Sequence, residues 1–409
     1  MTFPIAAVRA QFKALSQPGN RIYFDAPGGT QVCAPAVARM VAHLESGTAN
    51  SGGAFRTSVE TDALSAEAHA AMADLLGGTP DQIAFGQNMT SLTLAVSRAL
   101  AKDWAEGDEI VLTRLDHDAN VAPWLLAARD RKVTVRWLDF DPATGRWSAD
   151  DLPALLTPRT RLVALGMASN ALGTINPVEA AIRHIRAHSS ALVYVDAVQS
   201  VPHLVTDVAT LGADFLACSP YKFFGPHQGV LWARDASTVE AYKVRPAGDE
   251  GAHRFESGTP SFESHAGVLG TIEYLEWLGG EAEPHANSRR ARLIAAMQAM
   301  VAYEHNLGER LLAGLATIPG LRLWGPPTME GRVPTFSFTI RNHHPDAIAE
   351  HLAAREIYAW SGHFYAVEVI ARLGLKNGLL RVGLCHYSTE DEVDRLIEAL
   401  GALRTARSG

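Results

Sequence analysis

Short apolar runs that recur between amphipathic stretches restrict the fold of this chain more than any other property it has. They fall at 82–85, 109–113, 133–138, 161–167, 191–195, 214–218 and 229–233, and several are apolar almost without interruption. A run of that kind suits a strand covered on both faces, and strands that alternate with helices build a mostly parallel sheet between two helical layers. Helical patterning does lie between the runs, as at 91–100 and 178–187. The predicted core is an α/β domain with a mostly parallel seven-stranded sheet.

The rhythm changes near residue 288. A long helical segment over 288–316 leads past Pro319 and Gly320 to strands at 321–324 and 335–340, a helix at 345–355, a strand at 379–384 and a helix at 389–403. The Gly- and Pro-bearing stretch 324–334 reads as a loop. A smaller α+β unit therefore follows the large one, as 409 residues are too many for one simple core. The expected division is an N-terminal segment over 1–22 packing with the small domain, a large ligand-binding domain over 23–287, and a linking helix with the small C-terminal domain over 288–409.

Charge and composition exclude some functions. A formal net charge of −8, with no basic run, argues against a nucleic-acid partner. No apolar span is long enough for a bilayer and the start lacks a signal-like core, so a cytoplasmic protein with no membrane role is expected. Cys33, Cys218 and Cys385 are too scattered for a disulfide framework or a zinc site, and no metal is expected.

In open α/β sheets ligands bind beyond the carboxyl ends of the strands. Four successive strands deliver polar clusters there: Asp116 to Asn120, Ser169 to Gly173, Asp196 with Gln199, and Ser219, Tyr221 and Lys222. Lys222 is one of few lysines in the chain and sits among Phe, Tyr and Leu. Desolvation should lower its pKa toward that of a usable amine, the nucleophile that condenses with an aldehyde such as pyridoxal 5'-phosphate. Asp196, at the end of a buried strand, can pair with the pyridine nitrogen of that cofactor and hold it protonated, worth on the order of a few kcal/mol. A helix cap is its alternative use. His117 offers a ring to stack on the pyridine, and Asn170 and Gln199 can hydrogen-bond its phenolic oxygen. The stretch Gly86 to Ser91 leads from a strand into a helix, so Asn88, Met89 and Thr90 offer an anion seat, or simply a cap. Ser219 and the Tyr221 hydroxyl can add donors.

With these residues assembled, the chain resembles the class V aminotransferase family of fold-type I pyridoxal phosphate enzymes, and within it the group II cysteine desulfurases and their relatives. The resemblance runs from about Tyr23 to the end. It is carried by Asp116 to Trp124, Ser169 to Gly173, Val195 to Gln199, Ser219 to Pro226 and Arg254 to Pro260. It implies that Lys222 is the Schiff-base lysine, Asp196 the partner of the ring nitrogen and His117 the stacking ring. Thr90 and Ser219 would be phosphate donors, joined across a homodimer by the loop of Gly258 and Thr259. Arg381 would grip the substrate carboxylate, with Gly28, Gly29 and Asn170 beside the substrate.

The departures bear on function. In desulfurases the loop after an Arg-Thr-Gly-His-like stretch carries the cysteine that attacks sulfur; here Trp360 to Ala366 has none, and Tyr365 stands in its place. The histidine usual before the lysine is Tyr221. Orthodox persulfide-forming desulfuration is therefore not expected. The expected enzyme deprotonates an amino acid at Cα with Lys222 and then expels a β-substituent, as a carbon–sulfur lyase does, with Tyr365 as a candidate acid. An aminotransferase or an epimerase like isopenicillin N epimerase is the alternative, and a non-catalytic cofactor-binding partner protein a second one.

Overall fold

A computed structural model gives the architecture, describing residues 3–244, 248 and 250–403. A two-residue strand near the start, β1 (Ile22–Tyr23), precedes the central sheet. That sheet has seven strands: β2 (Ile83–Gly86), β3 (Glu109–Thr113), β4 (Thr134–Leu138), β5 (Thr160–Gly166), β6 (Leu192–Asp196), β7 (Phe215–Cys218) and β8 (Gly229–Ala233), in the order β2-β8-β7-β6-β5-β3-β4. The pairings β3–β4, β3–β5, β5–β6 and β6–β7 are parallel, whereas β8 runs antiparallel to both β7 and β2. The strands fall within one or two residues of the apolar runs.

Their near-continuous apolarity has a simple cause. Successive side chains point to opposite faces. Val111, Val163, Val193, Val195 and Leu216 join the core with Met72, Leu76, Ile182, Leu269 and Ile272 from helices Arg56–Leu76, Val178–His188 and Phe262–Ala282. Their neighbours Ile110, Leu112, Leu162, Ala164, Tyr194 and Phe215 meet Leu92, Val96 and Trp124 from helices Met89–Leu100 and Ala122–Arg131. Both faces are dry, so both registers had to be hydrophobic.

Helix Arg289–Leu315 leads to the second sheet. Its strands are β9 (Leu321–Trp324), β10 (Thr335–Ile340), β12 (Trp360–Gly362) and β13 (Leu379–Gly383), all antiparallel in the order β12-β13-β10-β9, while β11 (Ile357–Tyr358) pairs in parallel with β1. Helices Pro345–Ala353 and Glu390–Gly401 pack with it around Phe336, Phe338, Leu380 and Val382. Thr389 closes a capping box with Glu392, which starts the last helix one residue later than the periodicity suggests. The N-terminal segment lies against both layers. Phe3 stacks on Tyr303, Phe12 is enclosed by Tyr274, Phe224 and Tyr387, and Arg9 pairs with Glu392 at 3.0 Å. Among the described residues no helix is long and apolar enough to cross a membrane.

Candidate active site

The carboxyl ends of β3, β5, β6 and β7 open on one cavity, lined by Asn88, Met89, Thr90, Asp116, His117, Ala119, Gly166, Ala168, Asn170, Asp196, Val198, Gln199, Ser219, Tyr221 and Lys222. All four polar clusters picked out by strand position thus meet.

Lys222 follows β7 in a short turn and is 8% exposed. Its amine donates to the carbonyl of Pro27, so the N-terminal loop reaches under it. Burial, helped by the Arg381 charge, draws its pKa down from 10.5 to about 7, with Asp196 opposing. An amine so placed is half neutral near physiological pH. One carboxylate oxygen of Asp196, the last residue of β6, accepts the Val198 amide at 2.9 Å, and burial raises its pKa to about 6. That contact closes a local turn with no helix behind it, so the helix cap expected as its alternative use does not form. Among the described residues the contact leaves the second oxygen of a buried carboxylate that lines the cavity without a hydrogen bond to the chain, which a cationic ring nitrogen would fit.

His117 holds its ring by accepting the Ala119 amide at Nδ1, 3.0 Å, and burial with the Lys222 and Arg381 charges lowers its pKa to about 4. The imidazole is therefore neutral, as a stacking face needs to be. Below it lies Asp116, which sequence reasoning quoted but did not single out. Its carboxylate takes hydrogen bonds from Thr113, Asn120 and the Gly166 amide, and burial raises its pKa to about 7. Its position directly before His117 at the end of a strand was the available signal.

Asn88 caps helix Met89–Leu100, its Oδ1 accepting the Ser91 amide at 2.9 Å. Its side chain is thus the cap, and the seat's remaining donors are the backbone and hydroxyl of Thr90 with the Met89 amide, which donates to Ser219. The Met89 amide points at Ser219 Oγ, 3.3 Å away, which brings the strand-end serine to the helix N-terminus. An anion set between them would meet backbone N–H groups and two hydroxyls.

Gln199 and Asn170 turn out to be tied at one end. Gln199 Nε2 donates to Thr335 Oγ1 of β10 at 3.2 Å, and Asn170 Nδ2 donates to the Phe364 carbonyl at 2.8 Å. Their carbonyl oxygens, Oε1 and Oδ1, are buried without partners. A reversed Gln199 amide would keep the Thr335 contact and present N–H groups to a phenolate. The Lys222 amine, these orphaned polar atoms, the buried Asp196 and the helix-terminal donors fit pyridoxal phosphate at its aldehyde, phenolic oxygen, ring nitrogen and phosphate in turn.

Arg381 on β13 is 4% exposed and lies over the Phe364 ring, Cζ 4.2 Å from its centroid. Among the described residues its one hydrogen bond runs from Nη1 to the Asn170 carbonyl, 2.9 Å, and Nε has none. Burial lowers its pKa to about 9, so it stays charged. A buried guanidinium with an idle edge is suited to a carboxylate. Tyr365 is 67% exposed, its ring 5.6 Å from that of His117. Phe364 and Tyr365 both have left-handed backbones, φ 55° and 56°, held because the Tyr365 carbonyl accepts the Asp118 amide at 2.7 Å while Asn170 clasps the Phe364 carbonyl. Gly28 and Gly29 follow Pro27 in the loop under the amine: a Cβ on Gly28 would drive into the Trp360 indole, and Gly29 has φ 154° against the Tyr221 ring. Tyr221 stacks on His227 at 4.8 Å.

Gly258 and Thr259 do not join this cavity. They are exposed, and a Cβ on Gly258 would meet nothing within 4 Å. The cysteines stay outside it too, each completely buried.

A family model described as class V aminotransferase matches residues 22–396. Aminotransferase-like protein FGM3 of Gibberella zeae is 31% identical over 98% of this chain and 98% of its own length. A cysteine desulfurase of Dickeya dadantii is 30% identical over 97% of this chain and 96% of its own. Among solved structures, the apo cysteine desulfurase of Thermococcus onnurineus NA1 aligns with a TM-score of 0.88 at 26% identity, covering 98% of both chains.

Proposed function

This chain belongs to the class V aminotransferase family, and from that premise we propose that it is a carbon–sulfur or related β-lyase acting on an amino acid, without a persulfide-forming cysteine. Pyridoxal 5'-phosphate supplies an aldehyde for amines to condense with and a pyridinium ring that accepts an electron pair from Cα. Everything else falls to the protein. Arg381 would take the substrate carboxylate with its idle guanidinium edge and so orient the bonds at Cα. Lys222, about half neutral near pH 7, would remove the Cα proton at Nζ. Asp196 would hold the ring nitrogen protonated, and the neutral His117 ring would offer a stacking face.

One observation carries the choice of elimination over desulfuration. Cys33, Cys218 and Cys385 are 0% exposed, and burial lifts the Cys33 thiol to about 11, so no thiolate is at hand to accept sulfur. The loop that faces the cavity mouth presents Tyr365 instead, a phenol able to protonate a leaving group but not to hold sulfur. With L-cysteine the expected products are pyruvate, ammonia and sulfide. Product analysis with L-cysteine, cysteine sulfinate and S-substituted cysteines tests this. Alanine formed in step with sulfur transfer would contradict it, and amino-group transfer to a keto acid would favour the aminotransferase reading.

Tyr365→Phe removes the proton and keeps the ring. Turnover is expected to fall by about 10²-fold, within the range for a positioned general acid, with cofactor content unchanged. Steady-state kinetics beside an absorbance spectrum checks both; unaltered turnover removes Tyr365 from the mechanism.

The amine also sets a pH dependence. An amine condenses only when neutral, so the rate at which apoprotein takes up the cofactor should climb as pH rises through about 7. Arg381→Leu, by removing a neighbouring cation that lowers the lysine pKa, should move that midpoint upward. A stopped-flow series across pH reads it, and a midpoint near the ordinary value of 10.5 would mean that burial does not act on Lys222.

Two copies are proposed to complete the sites. Val37, Val41 and Leu44 form an exposed stripe on helix Ala34–Glu45, with Phe55 and Val59 exposed nearby. The exposed Gly258 and Thr259 would then serve the partner's phosphate.

A further inference from the structure

We propose that His69, His253 and Glu256 form a binding site for a divalent metal ion of the zinc type, separate from the cavity that holds Lys222. The three donor atoms lie within 4.8 Å of one another. His69, in helix Arg56–Leu76, is 3% exposed, and its Nδ1 is 2.7 Å from the Ser65 carbonyl. That oxygen only accepts, so Nδ1 carries a proton. Nε2 meanwhile faces Glu256 Oε1 at 2.8 Å. A neutral ring would set its lone pair against the carboxylate. At 2.8 Å the contact is favourable when the buried ring is a cation, and a metal ion would replace that charge by opening the pair to ligand spacing. An imidazole that donates Nδ1–H to a backbone carbonyl while Nε2 faces outward is the arrangement that orients metal ligands.

The remaining contacts fit the shared ion. Glu256 Oε2 lies 3.4 Å from His253 Nδ1, long for a charge-assisted hydrogen bond. It matches the separation of roughly 3.3 Å expected between two ligands of a tetrahedral ion bound at about 2.0–2.2 Å. Oε1 also accepts the Phe85 amide at 2.8 Å, which fixes the carboxylate. His265 stands beside the group, its ring 5.8 Å from that of His69. It is completely buried and neither of its nitrogens has a hydrogen-bond partner, so it offers a further donor. His253 is partly exposed and gives the ion a way in.

Two nitrogens and a carboxylate suit zinc or cobalt better than calcium or magnesium. The ion would join helix Arg56–Leu76, the end of β2 through Phe85, and the turn Gly251–Phe255, just before exposed residues 257–259. The inference is independent of the reaction proposed above, because metal uptake is read without turnover.

The test uses the cofactor-loaded protein, treated with chelator, desalted and titrated with Co²⁺ and then Zn²⁺. About one equivalent per chain should bind, with the visible bands of cobalt in a low-coordinate nitrogen and oxygen site, displaced by zinc, and with a higher melting temperature. His253→Ala should weaken binding by at least about tenfold, whereas His305→Ala, in an exposed surface pair, should not. Absence of cobalt bands, or equal affinity in wild type and His253→Ala, would overturn the assignment and leave an imidazolium–carboxylate clasp.

Discussion

Lys222→Met is expected to lose turnover by about 10²–10⁴-fold, the span for removing a positioned base alone, while the chain still folds. A second effect separates the account from a generic loss of function. The folded pKa of Lys222 is about 7, below its ordinary 10.5, so the unfolded chain binds a proton that the folded chain resists. The sign is therefore a destabilisation that is full below about pH 7 and fades as pH rises toward the unfolded value. Apoprotein carrying Lys222→Met should melt above wild-type apoprotein at pH 7, and the gap should close near pH 10. Calorimetry of the two apoproteins across pH checks this. A gap independent of pH would mean that the amine is solvated and not tuned.

Asp196→Ala should cost about 10²–10³ in turnover with the cofactor still attached through Lys222. That size follows from losing a close ion pair worth about 4 kcal/mol at an effective dielectric near 20, part of which solvent recovers. Asp196→Asn gives the matching sign test in apoprotein. Burial raises the folded pKa to about 6, above the ordinary 3.8. Here the folded chain holds a proton that the unfolded chain releases, so the carboxylate destabilises the apoprotein increasingly as pH rises from about 4 through 6. The Asn variant should thus gain on wild type over that window and keep its advantage above it. Turnover comparable to wild type in Asp196→Ala would remove the electron-sink role.

Much of this site is legible in the sequence because strand ends are legible. The double burial of β3, β5, β6 and β7 makes them apolar runs, and the polar residues that follow Thr113, Gly166, Val195 and Cys218 lie on one edge by topology alone. The antiparallel course of β8 was also within reach: the connection over 219–228 is shorter than the roughly dozen residues a parallel crossover needs. Other parts leave no local trace. Helix Phe262–Ala282 is buried nearly all round, so it shows no amphipathic stripe, and a Cβ on Gly270 would strike the Pro35 carbonyl carbon at 2.5 Å, a constraint set by a distant helix. The Pro27 carbonyl under Lys222, the Thr335 contact of Gln199 and the clasp on Phe364 all join residues far apart in sequence. They come from how the N-terminal loop, β10 and the turn after β12 meet the large sheet. The pairing of His69 with Glu256 across 187 positions is of the same kind.

The most direct measurement is borohydride reduction of the protein saturated with pyridoxal phosphate, followed by peptide mass analysis. A reduced cofactor adduct on Lys222, absent from Lys222→Met, is the predicted result. An intact Lys222 side chain, or an adduct placed on another lysine, would contradict the assignment on which the rest depends.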